Sequence, residues 1–151
     1  MSYKILIYLL FICGVKTSKR VQLSCQQIKQ FVDGHNLHRL DAALGHIPRQ
    51  PASSNMKPMV WDEELAEKAA RWAENGLFDH NPDRTMVWAE STKIGCGISQ
   101  KRENDYVTTL FVCDYGPTGN FIGQTPYRPS SSRGYLQWDD SCKRLYGAKC
   151  S

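Results

Sequence analysis

The sequence lacks the features that mark membrane-spanning proteins and nucleic-acid-binding proteins. Its longest apolar run, Ile5 to Val15, has 11 residues, whereas a helix needs about 20 to cross a bilayer. No run of lysine and arginine is longer than two residues, and the net charge of the 151-residue chain is +4. Because nucleic-acid binding requires basic residues concentrated on one surface, we expect neither a nucleic-acid partner nor a membrane span.

The sequence also lacks local motifs for nucleophilic catalysis and for N-glycosylation. No serine lies in a G-x-S-x-G turn, and no asparagine is followed two residues later by serine or threonine. A serine nucleophile on a strand-to-helix elbow requires the first pattern, and N-linked glycosylation requires the second. The sequence therefore predicts neither feature.

The N-terminal apolar run follows Lys4 and precedes the polar segment KTSKR. A basic residue, a short apolar segment and a polar exit are typical of a secretory signal peptide. We predict a signal peptide over residues 1–18 and a secreted, extracellular protein. The alternative is that this run is a buried segment of the core.

Secretion changes the interpretation of the six cysteines. The first of them lies inside the predicted signal peptide, and an oxidising compartment favours disulfides among the others. Pairing of neighbours along the chain predicts the bridges Cys96–Cys113 and Cys142–Cys150. Cys25 is then left over, with three interpretations: an intermolecular disulfide in a dimer, a free thiol, or a cysteine whose partner is missing.

Two amphipathic helices are predicted in the first half of the chain. Apolar residues keep approximate helical spacing from Cys25 to Leu44, and Gly45 can end that helix. Asp62 can cap the second helix, and Gly76 follows its last turn. Its predicted apolar face contains Leu65, Ala69, Trp72 and Ala73, and its predicted i, i+4 ion pairs are Glu64 with Lys68 and Glu67 with Arg71.

The second half of the chain changes from helical periodicity to short runs of β-branched and aromatic residues. The segments TMVWA, KIGCGIS and VTTLFVC are separated by polar or glycine-containing turns, a pattern that predicts antiparallel strands. The last 24 residues, 128–151, are polar and rich in turn-forming residues. We predict that they form a C-terminal tail held by its own disulfide.

The segment VCDYGPTGNFIGQTPY places turn residues and aromatic rings directly after an apolar run. It resembles the C-terminal signature of the CAP superfamily, which comprises cysteine-rich secretory proteins, antigen-five venom allergens and plant pathogenesis-related proteins. That signature reads C-N-Y-x-P-x-G-N-x-x-G-x-x-P-Y, and Asp114 replaces the usual asparagine. The matching residues are Cys113, Tyr115, Pro117, Gly119, Asn120, Gly123, Pro126 and Tyr127.

Three further blocks follow the order of the same family. GHNLHR, with His35, Asn36 and Arg39, is similar to the H-N-x-x-R motif of the first helix. MVWDEELAEKAARWAENGLFDH resembles the second-helix motif that ends in a histidine, here His80, and MVWAESTKIGCG, with Trp88, is similar to the family's strand pair. The spacer PASSNMKPMVW looks most like the arthropod venom-allergen branch.

This resemblance implies an α+β fold, a CAP-type α-β-α sandwich with an antiparallel sheet and two N-terminal helices. The shortened CAP domain is expected over residues 25–127. It is shortened because the family carries a long segment between the second-helix histidine and M-V-W-A, whereas NPDRT alone separates His80 from MVWA here. Loss of one layer would expose an apolar face, and such faces favour association; the alternative is that the shortened chain has no stable fold.

The missing segment includes most of the family's cleft, which combines two histidines and two acidic residues. The resemblance leaves His80 as the residual cleft residue. Because a metal site needs three or four converging ligands, we predict no metal, no cofactor and no catalytic residue. His35 and His38 lie three residues apart on a helix and could chelate in principle, but a structural role is favoured.

By resemblance, the chain is expected to be a non-enzymatic, venom-allergen-like protein. It would bind an extracellular protein or a small lipid or sterol. Two alternatives stay open: a secreted hydrolase or protease-like protein that uses His80, and a structural or defence module linked through Cys25. The aromatic residues that would form either a core or an apolar groove are Trp61, Trp72, Phe78, Trp88, Tyr115 and Phe121.

Overall fold

The computed structural model describes residues 18–76 and 86–150. The predicted signal peptide lies outside the described residues except for Ser18, and His80 and Phe78 lie outside them as well. The elements are β1 (Lys19–Val21), α1 (Cys25–Leu44), β2 (Ala52–Ser53), β3 (Val60–Trp61), α2 (Glu63–Glu74), β4 (Lys93–Glu103), β5 (Tyr106–Gly116), β6 (Pro129–Ser130) and a 3₁₀ helix (Asp140–Arg144).

Helix α1 has the predicted bounds, and both of its ends are capped. The Ser24 hydroxyl accepts a hydrogen bond from the Gln27 backbone N–H, and the Gln27 side chain accepts one from the Ser24 N–H. Gly45 ends the helix at φ 75°, a left-handed conformation that costs glycine little. The predicted start and end of α1 are confirmed.

Helix α2 begins at the predicted cap, because the Asp62 side chain accepts hydrogen bonds from the N–H groups of Glu64 and Leu65. Its packing face differs in part from the predicted one. Ala69 and Ala73 are fully buried as predicted, but Trp72 is 37% exposed. Two glycines of β4 allow the helix to lie unusually close to the sheet. A Cβ at Gly95 would lie 2.0 Å from the Ala66 nitrogen, and one at Gly97 would lie 2.3 Å from the Ala70 Cα.

The central strand of the sheet is β4. It pairs along its whole length with β5 in antiparallel register, from Lys93 opposite Gly116 to Glu103 opposite Tyr106. Its other side pairs with β1 over Ile98–Gln100, antiparallel, and with β3 over Lys93–Ile94, parallel. The predicted strands KIGCGIS and VTTLFVC are therefore present as an antiparallel pair, and the short parallel contact with β3 was not predicted.

The two helices cover opposite faces of the sheet. Ile94 and Cys96 of β4 pack in one cluster with Ile28 and Val32 of α1. On the other face, the Ser99 hydroxyl donates to the Ala73 carbonyl of α2 at 2.6 Å. This arrangement is the predicted α+β sandwich with an α-β-α layer order.

The predicted strand TMVWA is wrong over its described residues, 86–89. Residues 86–90 form turns, and their backbone groups bond outside any sheet: the Ala89 N–H donates to the Pro126 carbonyl, and the Trp88 carbonyl accepts from Arg39. Apolar and β-branched composition favoured a strand, but the contact with Arg39 holds this segment in a loop.

The disulfide prediction needs one correction. The structure contains the Cys96–Cys113 bridge that pairing of sequence neighbours favoured. Cys150 is bonded to Cys25, with Cα atoms 5.4 Å apart, rather than to Cys142. The tail is therefore fastened to the start of α1 instead of closing a small loop, and the sulfur of Cys25 is not available for a disulfide-linked dimer.

The C-terminal residues also pack on the rest of the molecule. Leu136 is 6% exposed and lies in a cluster with Ala42, Ala43 and Met56. The Leu145 carbonyl accepts a hydrogen bond from the Trp61 N–H at 2.9 Å. Strand β6 pairs with β2 in a separate two-stranded sheet. The described residues from 128 onward are thus tied to both helices and to β3.

Candidate functional site

Arg39 is the most deeply buried charged residue among those that match the family motifs. Its side chain is fully buried and projects from α1 into the loops that follow β2 and precede β4. The guanidinium donates to four backbone carbonyls: Lys57 at 2.6 Å, Met86 at 2.9 Å, Trp88 at 3.0 Å and Ala89 at 3.1 Å. Burial lowers the pKa of Arg39 to about 10, with a smaller opposing contribution from Glu90. Arg39 therefore joins two loops to α1.

Asn36 makes a second junction one helical turn away. Its side-chain amide donates to the Met59 carbonyl at 3.0 Å, and its side-chain oxygen accepts from the Met59 N–H at 2.7 Å. The residue is buried. The side-chain nitrogen and oxygen of Asn36 thus both bond to the backbone of Met59. These two bonds position the residue that directly precedes β3.

His35 is held between its own helix and β5. Its Nδ1 lies 2.7 Å from the Phe31 carbonyl and its Nε2 lies 3.0 Å from the Tyr115 hydroxyl. A carbonyl can only accept, so Nδ1 carries the proton, and Nε2 of the neutral ring accepts from Tyr115. Burial lowers the pKa of His35, and burial followed by the charge of Asp114 raises the pKa of Tyr115. At neutral pH both side chains are uncharged, and both imidazole nitrogens have partners.

The C-terminal signature forms a packed corner around Trp88. A Cβ at Gly119 would lie 2.4 Å from the Trp88 ring, so only glycine fits there. The next residue, Asn120, has φ 58°, and Phe121 stacks edge-on against Trp88 with ring centres 5.7 Å apart. The Pro117 carbonyl accepts a hydrogen bond from the Ser91 hydroxyl at 2.6 Å. These signature residues build a loop junction.

The described residues offer no metal centre. No group of three or more histidine, cysteine, aspartate and glutamate side chains converges among residues 18–76 and 86–150. His38 is exposed on α1 and does not join His35 in such a group. His80, the residual cleft residue of the sequence analysis, lies outside the described residues.

A cavity of about 240 Å³ lies along the edge of β4 that faces away from β5. It occupies the gap that β1 and β3 leave along β4, because β1 stops opposite Ile98 and β3 stops opposite Ile94. Its apolar lining comes from Leu23, Ile28, Trp61, Ala66, Ala70 and the Cys25–Cys150 bridge. Gly97 also lines it. The cavity thus reaches both helices through an opening in the sheet.

Charged side chains from three segments, β1, α2 and the C-terminal residues, line the same cavity. Arg20 binds Glu67 at 2.5 Å, and Glu67 also accepts from Arg71 at 3.3 Å. This hydrogen bond with Arg20 lowers the pKa of Glu67 and raises the pKa of Arg20. Glu63 accepts from the Ala148 N–H at 2.8 Å. Lys149 adds a further positive charge to the lining. Ile28, Trp61 and Ala70 are buried, whereas the side chains of Arg20 and Glu67 are 36% and 44% exposed, so the charged groups lie at the margin of a partly apolar cavity.

Sequence reasoning did not identify this cavity. Its lining comes from β1, both helices, β3, β4 and the C-terminal residues, and no local motif connects those segments. The one signal was the odd number of cysteines left after the signal peptide, since the unassigned Cys25 and the terminal Cys150 meet at the cavity wall.

Comparisons with known proteins agree with this geometry. The family model described as "CAP: Cysteine-rich secretory protein family" matches residues 79–115. Venom allergen 5 of Polistes fuscatus is 27% identical, with 76% of this chain and 85% of the relative covered. Venom allergen 5.02 of Dolichovespula maculata is also 27% identical, with 76% and 82% covered. The chain is thus similar to CAP proteins, over residues 79–115 by the family model and over about three quarters of its length by the venom allergens.

Solved structures show the CAP fold independently of sequence. BmVAL-1 is 19% identical, with a TM-score of 0.65 over 72% of this chain and 85% of that one. NaASP2, whose structure contains Zn²⁺, is 20% identical, with a TM-score of 0.61 over 72% and 88%. At these identities the likeness concerns the fold alone.

The CAP relatives carry residues that have no counterpart here. The alignment with the Polistes fuscatus allergen extends over 175 positions, although the chain has 151 residues and only 76% of them take part. This agrees with a CAP domain that lacks a middle segment. Among the described residues, neither helix is long and apolar enough to span a membrane.

Proposed function

We propose that this CAP-domain protein is secreted and non-enzymatic, and that it binds a small amphipathic lipid in the cavity between β1, β3 and α2. The observation that carries the proposal is the cavity itself, with an apolar interior and charged residues at its margin. Both nitrogens of His35 are hydrogen-bonded, which supports a structural rather than catalytic role for that residue. The disulfide Cys25–Cys150 in its wall suits an oxidising, extracellular compartment.

The size and charge of the cavity favour a single-chain fatty acid over a sterol. Cavities for drug-sized ligands usually measure about 300–1,000 Å³, and this one is smaller at about 240 Å³. Part of a flexible acyl chain can enter a small cavity. A rigid fused-ring sterol needs a cavity that holds its whole ring system. Arg20 and Lys149 lie in the lining and would attract a carboxylate.

Displacement of a fluorescent fatty acid tests this proposal. Dodecanoate should bind to the oxidised protein, and cholesterol should compete poorly. Replacement of the lining residue in Ala66→Leu should weaken dodecanoate binding by about tenfold, since roughly 1.4 kcal/mol of binding free energy corresponds to that factor. The control is Ser131→Leu, which places the same leucine side chain at an exposed residue outside the lining.

A second comparison tests the role of charge. Lys149→Gln should weaken the binding of dodecanoate more than the binding of dodecanol, because only the acid carries a negative charge. Equal affinity of wild-type protein, Ala66→Leu and Ser131→Leu for dodecanoate would place the ligand elsewhere. No measurable binding of either ligand would remove the lipid function.

A further inference from the structure

Strand β5 forms one edge of the sheet that the described residues build. Among the described residues it pairs with β4 alone. The Ile94 carbonyl accepts from the Asp62 N–H on the opposite side of β4. Backbone groups alternate sides along a strand, so odd-numbered residues of β4 face β5 and bond to even-numbered residues of β5. The N–H and C=O groups of Val107, Thr109 and Phe111 therefore point outward.

This edge carries none of the features that usually prevent edge pairing. The segment YVTTLFV, Tyr106 to Val112, contains no charge, no proline and no glycine. The register with β4 continues over 11 residue pairs without a bulge. Natural proteins usually protect an exposed edge with lysine, proline, a bulge or a short strand. An edge that lacks all four is suited to pairing with another strand.

The exposed side chains of the edge are complementary to themselves. Val107 is 45% exposed and Phe111 is 59% exposed, and both lie on the face that carries Cys113, which packs towards α1. Two copies of β5 related by a two-fold axis at Thr109 would place Val107 of each copy opposite Phe111 of the other. Aromatic residues opposite β-branched residues are favourable cross-strand pairs.

We propose that β5 pairs with β5 of a second copy of this chain, antiparallel and centred on Thr109, to form a dimer with a continuous sheet. A second copy suits this edge because an axis at Thr109 places the exposed Val107 of each copy opposite the exposed Phe111 of the other. None of the residues from Tyr106 to Val112 is charged, so this pairing brings no like charges together. A two-fold interface requires this kind of self-complementary surface.

Site-directed crosslinking tests the register. Thr109→Cys places two thiols directly opposite one another at the axis, at a spacing of about 5.5 Å between Cα atoms that a disulfide accepts. The variant is made together with Cys142→Ser, which removes the described cysteine that belongs to neither bridge. It should form a covalent dimer at least about tenfold faster than Thr108→Cys in the same background, whose side chain points to the other face.

Sedimentation of the oxidised full-length chain tests the dimer without new cysteines. Thr109→Lys should shift the protein to monomer, because the two ammonium groups would face each other across the axis. The control, Gln100→Lys, adds the same charge on the same face one strand further in, since Gln100 is the partner of Thr109 in the sheet. It should leave the dimer intact.

A wild-type protein that sediments as a monomer at every concentration would overturn the proposal. Equal crosslinking rates for the cysteines at 108 and 109 would also overturn it. Concentration-dependent dimerisation that Thr109→Lys abolishes and Gln100→Lys preserves would establish it.

Discussion

The molecule has two regions that differ in how their polar groups are used. In the motif corner, formed by Asn36, Arg39, Trp88 and Gly119, polar side chains bond to backbone and a tryptophan ring fills the space beside a glycine. Around the cavity, apolar side chains border open space and the polar ones lie at the margin. The residues that match the CAP motifs thus build the fold, while the cavity is lined largely by other residues.

The largest expected effect comes from breaking the motif corner. Arg39→Met should lower the free energy of unfolding by at least about 4 kcal/mol, because four backbone carbonyls lose their donor and unsatisfied buried groups cost about 1–3 kcal/mol each. Urea denaturation measures this. The exposed Arg133→Met variant should change stability by less than about 0.5 kcal/mol. Similar values for the two variants would show that Arg39 does not hold these loops.

The next effect comes from opening the wall of the cavity. Replacing both Cys25 and Cys150 with serine removes a bridge between residues 125 positions apart and should cost about 2–5 kcal/mol of stability. Fatty-acid affinity should fall as well, because this bridge lines the cavity. If the variant is measurably less stable but binds the fatty acid with unchanged affinity, the bridge is not part of the binding site.

A smaller effect is expected at the contact between α2 and β4. Gly97→Ala should destabilise the protein by about 1–3 kcal/mol, because the new methyl group would overlap the helix backbone. Gly34→Ala on α1 has open space around it and should stabilise by about 0.5–1 kcal/mol. Thermal unfolding of the two variants should therefore shift in opposite directions, and a shift of the same sign would contradict the close approach at Gly97.

The smallest expected effect is a pH dependence from His35. Its pKa is lower in the folded protein than in the unfolded chain, chiefly because of burial. The unfolded chain therefore takes up the proton first as the pH falls, so this contribution is complete above the ordinary histidine pKa and is lost as the pH drops through the folded value. His35→Asn should reduce the loss of stability between pH 7.5 and pH 5, as measured by urea denaturation. An unchanged pH profile would contradict the assignment.

The sequence predicted what is determined locally. Asp62 and Gly45 mark helix ends through short-range hydrogen bonds and backbone conformation, and the two glycines that flank Cys96 lie in a strand, all as predicted. The TMVWA prediction failed because contacts with Arg39, far away in the chain, override strand preference. The bridge of Cys150 was misassigned because distance along the chain does not give distance in space.

The cavity could not be predicted for the same reason. It exists because β1 and β3 stop short of each other along β4, which is a property of the assembled sheet. The small residues Gly97 and Ala70 were visible in the sequence, but nothing local distinguishes small residues that allow close packing from those that border a cavity.

Titration of the isotope-labelled, oxidised protein with dodecanoate tests the contrast between the two regions most directly. In amide NMR spectra, the signals of Gly97, Ala70 and Leu23 at the cavity should shift with the ligand, while those of Asn36, Trp88 and Gly119 in the motif corner should stay in place. Shifts centred on the motif corner, with the cavity signals unmoved, would contradict this account of where the protein binds.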